Sequence, residues 1–179
     1  MTVISSGVAA SKVIDAVKAS NQVTVEAWVD PANLTQNGRA RIVTISQDTL
    51  ARNVMWGRGV CRSTGDRVEG RVRNTTSIKG SPTVGSPVGS LSGGLTHPVL
   101  TRAVSGTLAI YIDGVLSVTG SGGGTLANWD GSFLLMLANE LTGDRPWLGE
   151  YCLVAIYDKA LTPAEVTQNH QAGCPVARP

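Results

Sequence analysis

The sequence has little charge and few aromatic residues. Charged side chains make up 16% of the 179 residues and aromatic side chains 4%. Charge this sparse excludes a coiled coil, and a hydrophobic content of 42% excludes an intrinsically disordered chain. No apolar run approaches the about 18 residues that a transmembrane helix requires. The N-terminus lacks a basic region followed by an apolar run, so we expect no signal peptide in this chain.

Cysteine is also scarce, with three residues in the whole chain. Three is an odd number and too few for a disulfide scaffold. We therefore expect Cys61, Cys152 and Cys174 to be inert, partly buried thiols, although the sequence leaves a Cys152–Cys174 bridge open. The net charge is only +2. The pI of about 8.6 lies below the value of about 9 expected of nucleic-acid-binding domains. Nucleic acid is therefore not an expected partner.

What the sequence does contain is 21 glycines and many short segments of alternating polarity. Val23, Val25, Ala27 and Val29 alternate with Thr, Glu and Trp, a pattern typical of a half-buried strand. Asp113-Gly114 between two apolar runs predicts a hairpin turn. The other predicted strands are Ala40–Ser46, Asn53–Val60, Arg67–Asn74, Pro98–Ala103, Thr107–Ile112, Val115–Thr119, Ser132–Ala138 and Trp147–Tyr157.

Two short helices are predicted, one near each end. Ser11–Ala19 carries apolar residues at helical spacing, and Thr162-Pro163-Ala164-Glu165 is a capping box that begins a helix ending near Ala172. We predict an all-β fold for a single domain over residues 1–179. The fold would be a two-sheet antiparallel β-sandwich, or jelly roll, whose N- and C-terminal strands are adjacent. Sixteen of the 22 residues at 75–96 are Gly, Ser, Thr or Pro, which predicts a long loop between two strands.

Three motifs resemble those of laminin G-like, concanavalin A-like jelly-roll domains. They are the strand Val23–Val29, the hairpin Tyr111–Gly114 and the closing strand with its helix at 149–166. Shorter motifs, among them Asn128-Trp129-Asp130, resemble a bacterial group of such domains attached to envelope proteins. The resemblance implies binding of a glycan or a protein partner, sometimes with calcium, in an extracellular or periplasmic location. Fold alone does not select among these ligands.

Calcium remains a candidate cofactor on the resemblance alone. The family places an acidic pair after the glycine of the closing strand, where this chain has Glu150-Tyr151-Cys152. Calcium needs six to eight oxygen ligands, and no spacing here forms a loop motif for them. The candidate carboxylates are Asp30, Asp113, Asp130, Glu140, Asp144 and Glu150.

One strand carries an unusual row of charges. Arg67, Glu69, Arg71 and Arg73 alternate at period two and therefore share one face, on which we place Arg71 and Arg73 at the centre of a binding surface. The chain has eleven arginines and four lysines, and arginine binds carboxylates through two parallel hydrogen bonds. This face is either a solvated surface with internal ion pairs or a groove for an acidic glycan or a carboxylate-bearing partner.

Aromatic residues supply the other candidate contacts. Trp56 is expected to be the stacking surface of that groove, with Arg58 beside it on the preceding strand. Trp129 and Asp144 lie near turns and mark an alternative binding site at the rim, unless the tryptophan closes the end of the sandwich. The loop at 75–96 is expected to fold over the end of the groove.

The sequence favours a non-catalytic recognition module that binds a glycan or an envelope partner. It contains no paired-carboxylate strand motif of glucanases, no nucleophile elbow and no metalloprotease motif. The alternative is an atypical hydrolase or lyase that uses the arginine strand with Glu69, His97 or Glu140 as acid or base. A third alternative is a structural spacer that binds nothing.

Overall fold

The computed structural model describes residues 3–36, 39–59 and 65–174. The prediction of an antiparallel β-sandwich is confirmed, with one sheet of six strands and one of five. The elements in chain order are β1 (Ile4–Ala9), α1 (Ser11–Ser20), β2 (Val23–Pro31), β3 (Ala40–Ser46), β4 (Arg52–Arg58), β5 (Val68–Val72), β6 (Val84–Gly85), β7 (Pro98–Arg102), β8 (Thr107–Ile112), β9 (Val115–Ser121), β10 (Leu134–Leu137), β11 (Gly149–Tyr157) and α2 (Pro163–Ala172).

The two sheets have a jelly-roll arrangement. The six-stranded sheet has the order β1-β10-β3-β4-β5-β6, and the five-stranded sheet has the order β11-β2-β7-β8-β9. The first strand that the sequence predicts, β2, pairs antiparallel with the last strand, β11. The inner faces of the two sheets form the main core, in which Val25 of β2, Ile45 of β3 and Trp56 of β4 are fully buried.

The prediction that β2 is half-buried is wrong, because both of its faces are covered. Val23 and Val25 point into the main core, while Thr24 and Glu26 on the other face are also buried. Helix α2 lies over that outer face, since Asn169 of α2 donates a hydrogen bond to Glu26. A second small core of Val99, Ala109, Tyr111, Leu161 and Val166 fills the space between α2 and the sheet.

Both helices occur where the sequence places them. Helix α1 ends at Ser20, with Asn21 in the left-handed conformation that terminates helices. The capping box of α2 is formed, since the Thr162 hydroxyl accepts from the Glu165 amide and Glu165 accepts from the Thr162 amide. Within the described residues, no helix is long and apolar enough to cross a membrane.

The cysteines differ from the expected inert thiols. Cys152 on β11 and Cys174, two residues after α2, form a disulfide with their Cα atoms 6.0 Å apart. This bond fixes the end of α2 to the edge strand β11. Cys61 and the predicted strand end at Val60 lie outside the described residues.

The segment at 75–96 does more than connect two strands. It contributes β6, which extends the six-stranded sheet by pairing Val84 with Gly70 and Gly85 with Glu69. Asn74 closes the turn that begins the segment, because its side-chain oxygen accepts from the backbone amides of Thr76 and Ser77. The edge of the arginine-bearing sheet is therefore built from the residues predicted to be a loop.

Candidate functional site

The outer face of the six-stranded sheet gathers most of the arginines that the sequence singles out. Register places Glu69 of β5 opposite Gly57 of β4, and Gly57 opposite Arg41 of β3, so these residues share one face. Arg71 lies on the same face, opposite Met55. We define the arginine face as the side chains of Arg39, Arg41, Arg52, Arg67 and Arg71 together with Glu69 and Glu140.

Two carboxylates pair with arginines on this face. Glu69 accepts a hydrogen bond from Arg71 Nε at 2.7 Å, and Arg39 Nε lies 4.0 Å from the same oxygen. Glu140, in the loop after β10, accepts from Arg41 Nε at 3.0 Å and from the Ser46 hydroxyl. Arginines outnumber carboxylates on the arginine face by three, so its local charge is positive.

Arg52 is affected both by burial and by the excess positive charge around it. Its guanidinium donates to the backbone carbonyls of Thr49 and Lys79, and its buried Nε has no partner. Burial and the neighbouring Arg41, Arg71 and Arg39 lower the pKa of Arg52 to about 10, against an ordinary value of 12.5. An anion above this position would relieve the repulsion between the guanidinium groups.

One of the two interpretations predicted a solvated surface with internal ion pairs; the ion pairs are present, but much of the arginine face is buried. The side chains of Glu69 and Glu140 are fully buried, and that of Arg41 is 1% exposed. Three cations are partly accessible: Arg39, with 32% of its side chain exposed, Arg71, with 12%, and the half-buried Arg67. Long arginine side chains lying on the sheet exclude water from the backbone beneath them.

Trp56 and Arg58 do not lie on the arginine face, so the stacking role expected of Trp56 is wrong. Trp56 pairs with Gly70, points into the main core and is fully buried. Arg58 is 1% exposed and donates to the backbone carbonyls of Gly65 and Asn33. Alternation along β4 explains both positions, because the face opposite Met55 and Gly57 is the core face.

Arg73 and Trp129 meet at one end of the sandwich. Trp129 is 2% exposed and donates its indole N–H to the Arg73 carbonyl at 2.9 Å. The Arg73 guanidinium lies over the Phe133 ring, 5.9 Å from its centroid. Hydrogen bonds from Ser132 are the main cause that lowers the pKa of Asp130, and the positive charge of Arg73 contributes to the same shift. Trp129 therefore closes the sandwich, as one of its two interpretations expected.

The carboxylates nominated for calcium are dispersed. Asp113 accepts from the His97 amide, Asp130 from the Ser132 hydroxyl, and Asp144 pairs with Arg145 at 3.0 Å. Asp144 is exposed at the rim. Among the residues that the structure describes, no group of three or more His, Cys, Asp or Glu side chains is arranged to hold a metal ion.

The three residues proposed as acid or base do not form one site. Glu69 and Glu140 both lie on the arginine face, each paired with an arginine. His97 lies on the outer face of the other sheet, where its Nε2 is 2.8 Å from Glu26. The sandwich separates His97 from Glu69, so a catalytic role shared by these two residues is excluded.

Sequence reasoning missed the polar cluster around Glu26. Its carboxylate accepts hydrogen bonds from His97, from the Tyr157 hydroxyl at 2.9 Å and from the Asn169 amide at 2.9 Å. The rings of Trp28, His97 and His170 stack above it. Two of these residues, Asn169 and His170, belong to α2, so this cluster attaches the helix to the sheet.

Stability should depend on the charge of Glu26. Burial raises the pKa of this carboxyl, but the hydrogen bonds from His97, Tyr157 and Asn169 outweigh burial and hold the pKa below 4.5. The stabilisation is therefore present above pH 4.5 and is lost as the pH falls through the folded-state pKa. We expect Glu26→Gln to unfold at a lower temperature than the wild type at pH 6, with a difference that narrows below pH 4.5. Thermal unfolding from pH 6 to pH 3 measures this, and a constant difference would contradict it.

Comparison with known proteins gives the fold a context. A family model described as the concanavalin A-like lectin/glucanases superfamily matches residues 5–167. The CBM40 module of the Ruminococcus gnavus IT-sialidase, solved with α2,3 sialyllactose, has a TM-score of 0.68 at 15% identity. The alignment covers 91% of each chain. No curated protein sequence matches the chain.

Two further solved structures are similar at low identity. The native heptameric SAP-like pentraxin of Limulus polyphemus has a TM-score of 0.64 at 18% identity, covering 89% of this chain and 73% of that one. Domain 4 of AbnA, a GH43 extracellular arabinanase from Geobacillus stearothermophilus solved with arabinotriose, has a TM-score of 0.56 at 22% identity. That alignment covers 83% of this chain and 66% of the other. Since the family model spans nearly the whole described fold, the chain belongs to the concanavalin A-like lectin/glucanases superfamily.

Proposed function

We propose that this domain is a carbohydrate-recognition module that binds an acidic glycan through the arginine face. The observation that carries the proposal is the excess of arginines over carboxylates on one sheet, with Arg39 and Arg71 accessible. A protein interior or interface tolerates such an excess where an external anion completes it. A glycan carboxylate or sulfate has the required charge and hydrogen-bond acceptors.

The arrangement of Arg71 suits a ligand of this kind. Arg71 pairs with Glu69 through Nε, on one side of its planar guanidinium. A carboxylate binds best to two parallel N–H groups, and the terminal nitrogens of arginine offer a further pair of donors. The carboxylate of an acidic sugar would therefore contact Arg71 from the solvent side, with Arg39 as a further accessible cation.

The similar structures support a saccharide as the ligand. One of them was solved with α2,3 sialyllactose, whose sialic acid carries a carboxylate, and another with arabinotriose. The disulfide between Cys152 and Cys174 supports an extracellular or periplasmic location, because such bonds persist in oxidising compartments. A glycan of a cell surface or an extracellular matrix is accordingly the expected class of ligand.

Calorimetric titration with α2,3-sialyllactose, a glucuronic-acid oligosaccharide and their neutral counterparts tests the proposal. We expect an acidic member to bind and its neutral counterpart to bind at least tenfold more weakly. Arg71→Ala should weaken the acidic ligand at least tenfold, because a charge-assisted hydrogen bond contributes roughly 1.5–3 kcal/mol. Lys12→Ala is the control, since it removes an exposed positive charge from α1. The loss in Arg71→Ala should shrink at high salt.

Two results would contradict the proposal. The arginine face would be excluded as the binding surface if acidic and neutral glycans bound with equal affinity and Arg71→Ala did not change that affinity. The rim around Asp144 would then be the remaining candidate. Absence of binding at millimolar concentrations would instead favour the structural spacer that the sequence left open.

A further inference from the structure

We infer that Glu69 is an internal competitor for the ligand, a carboxylate of the protein that occupies the arginine face when no glycan is bound. The inference rests on the proposed function and deepens it, because it assigns the residue that sets which anions the site accepts. Glu69 is fully buried and flanked by cations, yet the cations around it are only partly satisfied.

Glycines flank Glu69 on both neighbouring strands. Its two cross-strand neighbours are Gly57 on β4 and Gly85 on β6, and neither has a side chain. The Arg67 guanidinium occupies the space that a Cβ atom on Gly85 would take. Arg39 and Arg71 lie within 4.0 Å of the Glu69 carboxylate, and Arg67 covers the glycine opposite it.

The hydrogen bonding around Glu69 is incomplete. Glu69 Oε1 accepts from Arg71, but Oε2 is buried and has no partner. The Nε atoms of Arg39 and Arg67 are buried and also lack partners. A buried polar atom without a partner has lost its hydrogen bonds to water without replacing them, which is unfavourable. An external oxyanion would supply the missing acceptors to the arginines.

Glu140, the other carboxylate of the arginine face, differs from Glu69 in its hydrogen bonding. Both oxygens of Glu140 are used, one by Arg41 and the other by Ser46, and the group is fully buried. Glu140 is therefore a structural partner of Arg41. Glu69 neutralises part of the charge of the arginine face but accepts a hydrogen bond from only one arginine, Arg71, which is the property expected of a carboxylate that a ligand displaces.

A competitor of this kind sets a threshold for binding. A ligand must offer the arginines more than the single hydrogen bond between Glu69 and Arg71. Glycans with a carboxylate and additional hydroxyl acceptors meet this requirement, whereas simple monocarboxylates do not. Removing the negative charge of Glu69 should therefore admit weaker anions.

Glucuronate is the probe, titrated against the wild type, Glu69→Gln and Glu69→Asp. We expect Glu69→Gln to bind glucuronate at least tenfold more tightly than the wild type, and Glu69→Asp, which keeps the charge, to stay within threefold of it. Glu165→Gln removes a half-buried charge from α2, away from the arginine face, and should leave the affinity unchanged. Adding Arg71→Ala to Glu69→Gln should abolish the gain.

A measurement on the wild type covers the case in which Glu69→Gln does not fold. The 13C resonance of the Glu69 carboxyl should shift when a bound acidic glycan displaces it, while that of Glu140 should not. The inference would be overturned if an acidic glycan bound the wild type without shifting the Glu69 resonance. It would also be overturned if the glycan bound Glu69→Gln no more tightly than the wild type. Either result would leave the proposed function standing. Failure of every acidic probe to bind either protein would overturn the proposed function itself.

Discussion

Replacing Glu140 by alanine is expected to destabilise the protein by about 3–5 kcal/mol, the cost of leaving a buried charge without its partner. The charge in question is Arg41, which is 1% exposed and donates to Glu140 at 3.0 Å. Burial already lowers the pKa of Arg41, and the ion pair with Glu140 opposes that shift. Without Glu140, Arg41 would face the other arginines of the arginine face with no carboxylate beside it.

Urea denaturation measures this effect, and a double replacement isolates its cause. Glu140→Ala combined with Arg41→Met removes both charges, and removing both members of a buried pair is often close to neutral. The double variant should therefore recover most of the stability lost in Glu140→Ala. Asp144→Asn is the control, because Asp144 pairs with Arg145 in an exposed position and such pairs contribute about 0–1 kcal/mol. A loss under about 1 kcal/mol in Glu140→Ala would show that Arg41 does not depend on its partner.

Gly57→Ala is the second change with a large expected effect. A Cβ atom at Gly57 would overlap the carbonyl oxygen of Ala40 in the neighbouring strand β3. Overpacking a well-filled region costs about 1–3 kcal/mol, and here the obstacle is backbone, which cannot move aside as a side chain does. We expect a loss of at least about 3 kcal/mol in the free energy of unfolding. Since Gly57 lies between Arg41 and Glu69, acidic-glycan binding should weaken as well.

Gly131→Ala is the matched control for this substitution. A Cβ atom at Gly131 would meet no atom within 4 Å, so the stability should change by less than about 0.5 kcal/mol. A cost for Gly57→Ala as small as that of Gly131→Ala would mean that β3 and β4 separate readily at this position. The close packing of β3, β4 and β5 around Glu69 would then not be a fixed feature of the sheet.

Local patterns predicted the strands that alternate cleanly. Thr107–Ile112 and Ala40–Ser46 have the predicted bounds, because hydrophobic periodicity and the turns beside them define both. Strand β1 was missed because its residues are all exposed and show no alternation. Strand β6 has two residues, which is too short for any periodic signal. The second covered face of β2 depends on α2, which docks from a distant part of the chain.

Only part of the arginine face could be predicted from the sequence, for a different reason. Alternation within β5 correctly places Glu69 and Arg71 together, since a strand fixes its own faces. It does not fix the register between strands, and a shift of one residue moves a side chain to the opposite face. Trp56 was therefore assigned to the wrong side of the sheet. Arg39 and Arg41 are two residues apart, as Glu69 and Arg71 are. This spacing would have predicted that Arg39 and Arg41 also share one face of their strand.

Mapping the bound glycan by amide chemical shifts tests the central claim most directly. The wild-type protein would be titrated with the acidic glycan that binds most tightly, and the perturbed backbone amides assigned. We expect the largest shifts at Arg39, Gly57, Glu69 and Arg71, on adjacent strands of one sheet. Perturbations confined to the rim near Asp144 or to the Glu26 cluster beneath α2, with the arginine face unchanged, would contradict the account.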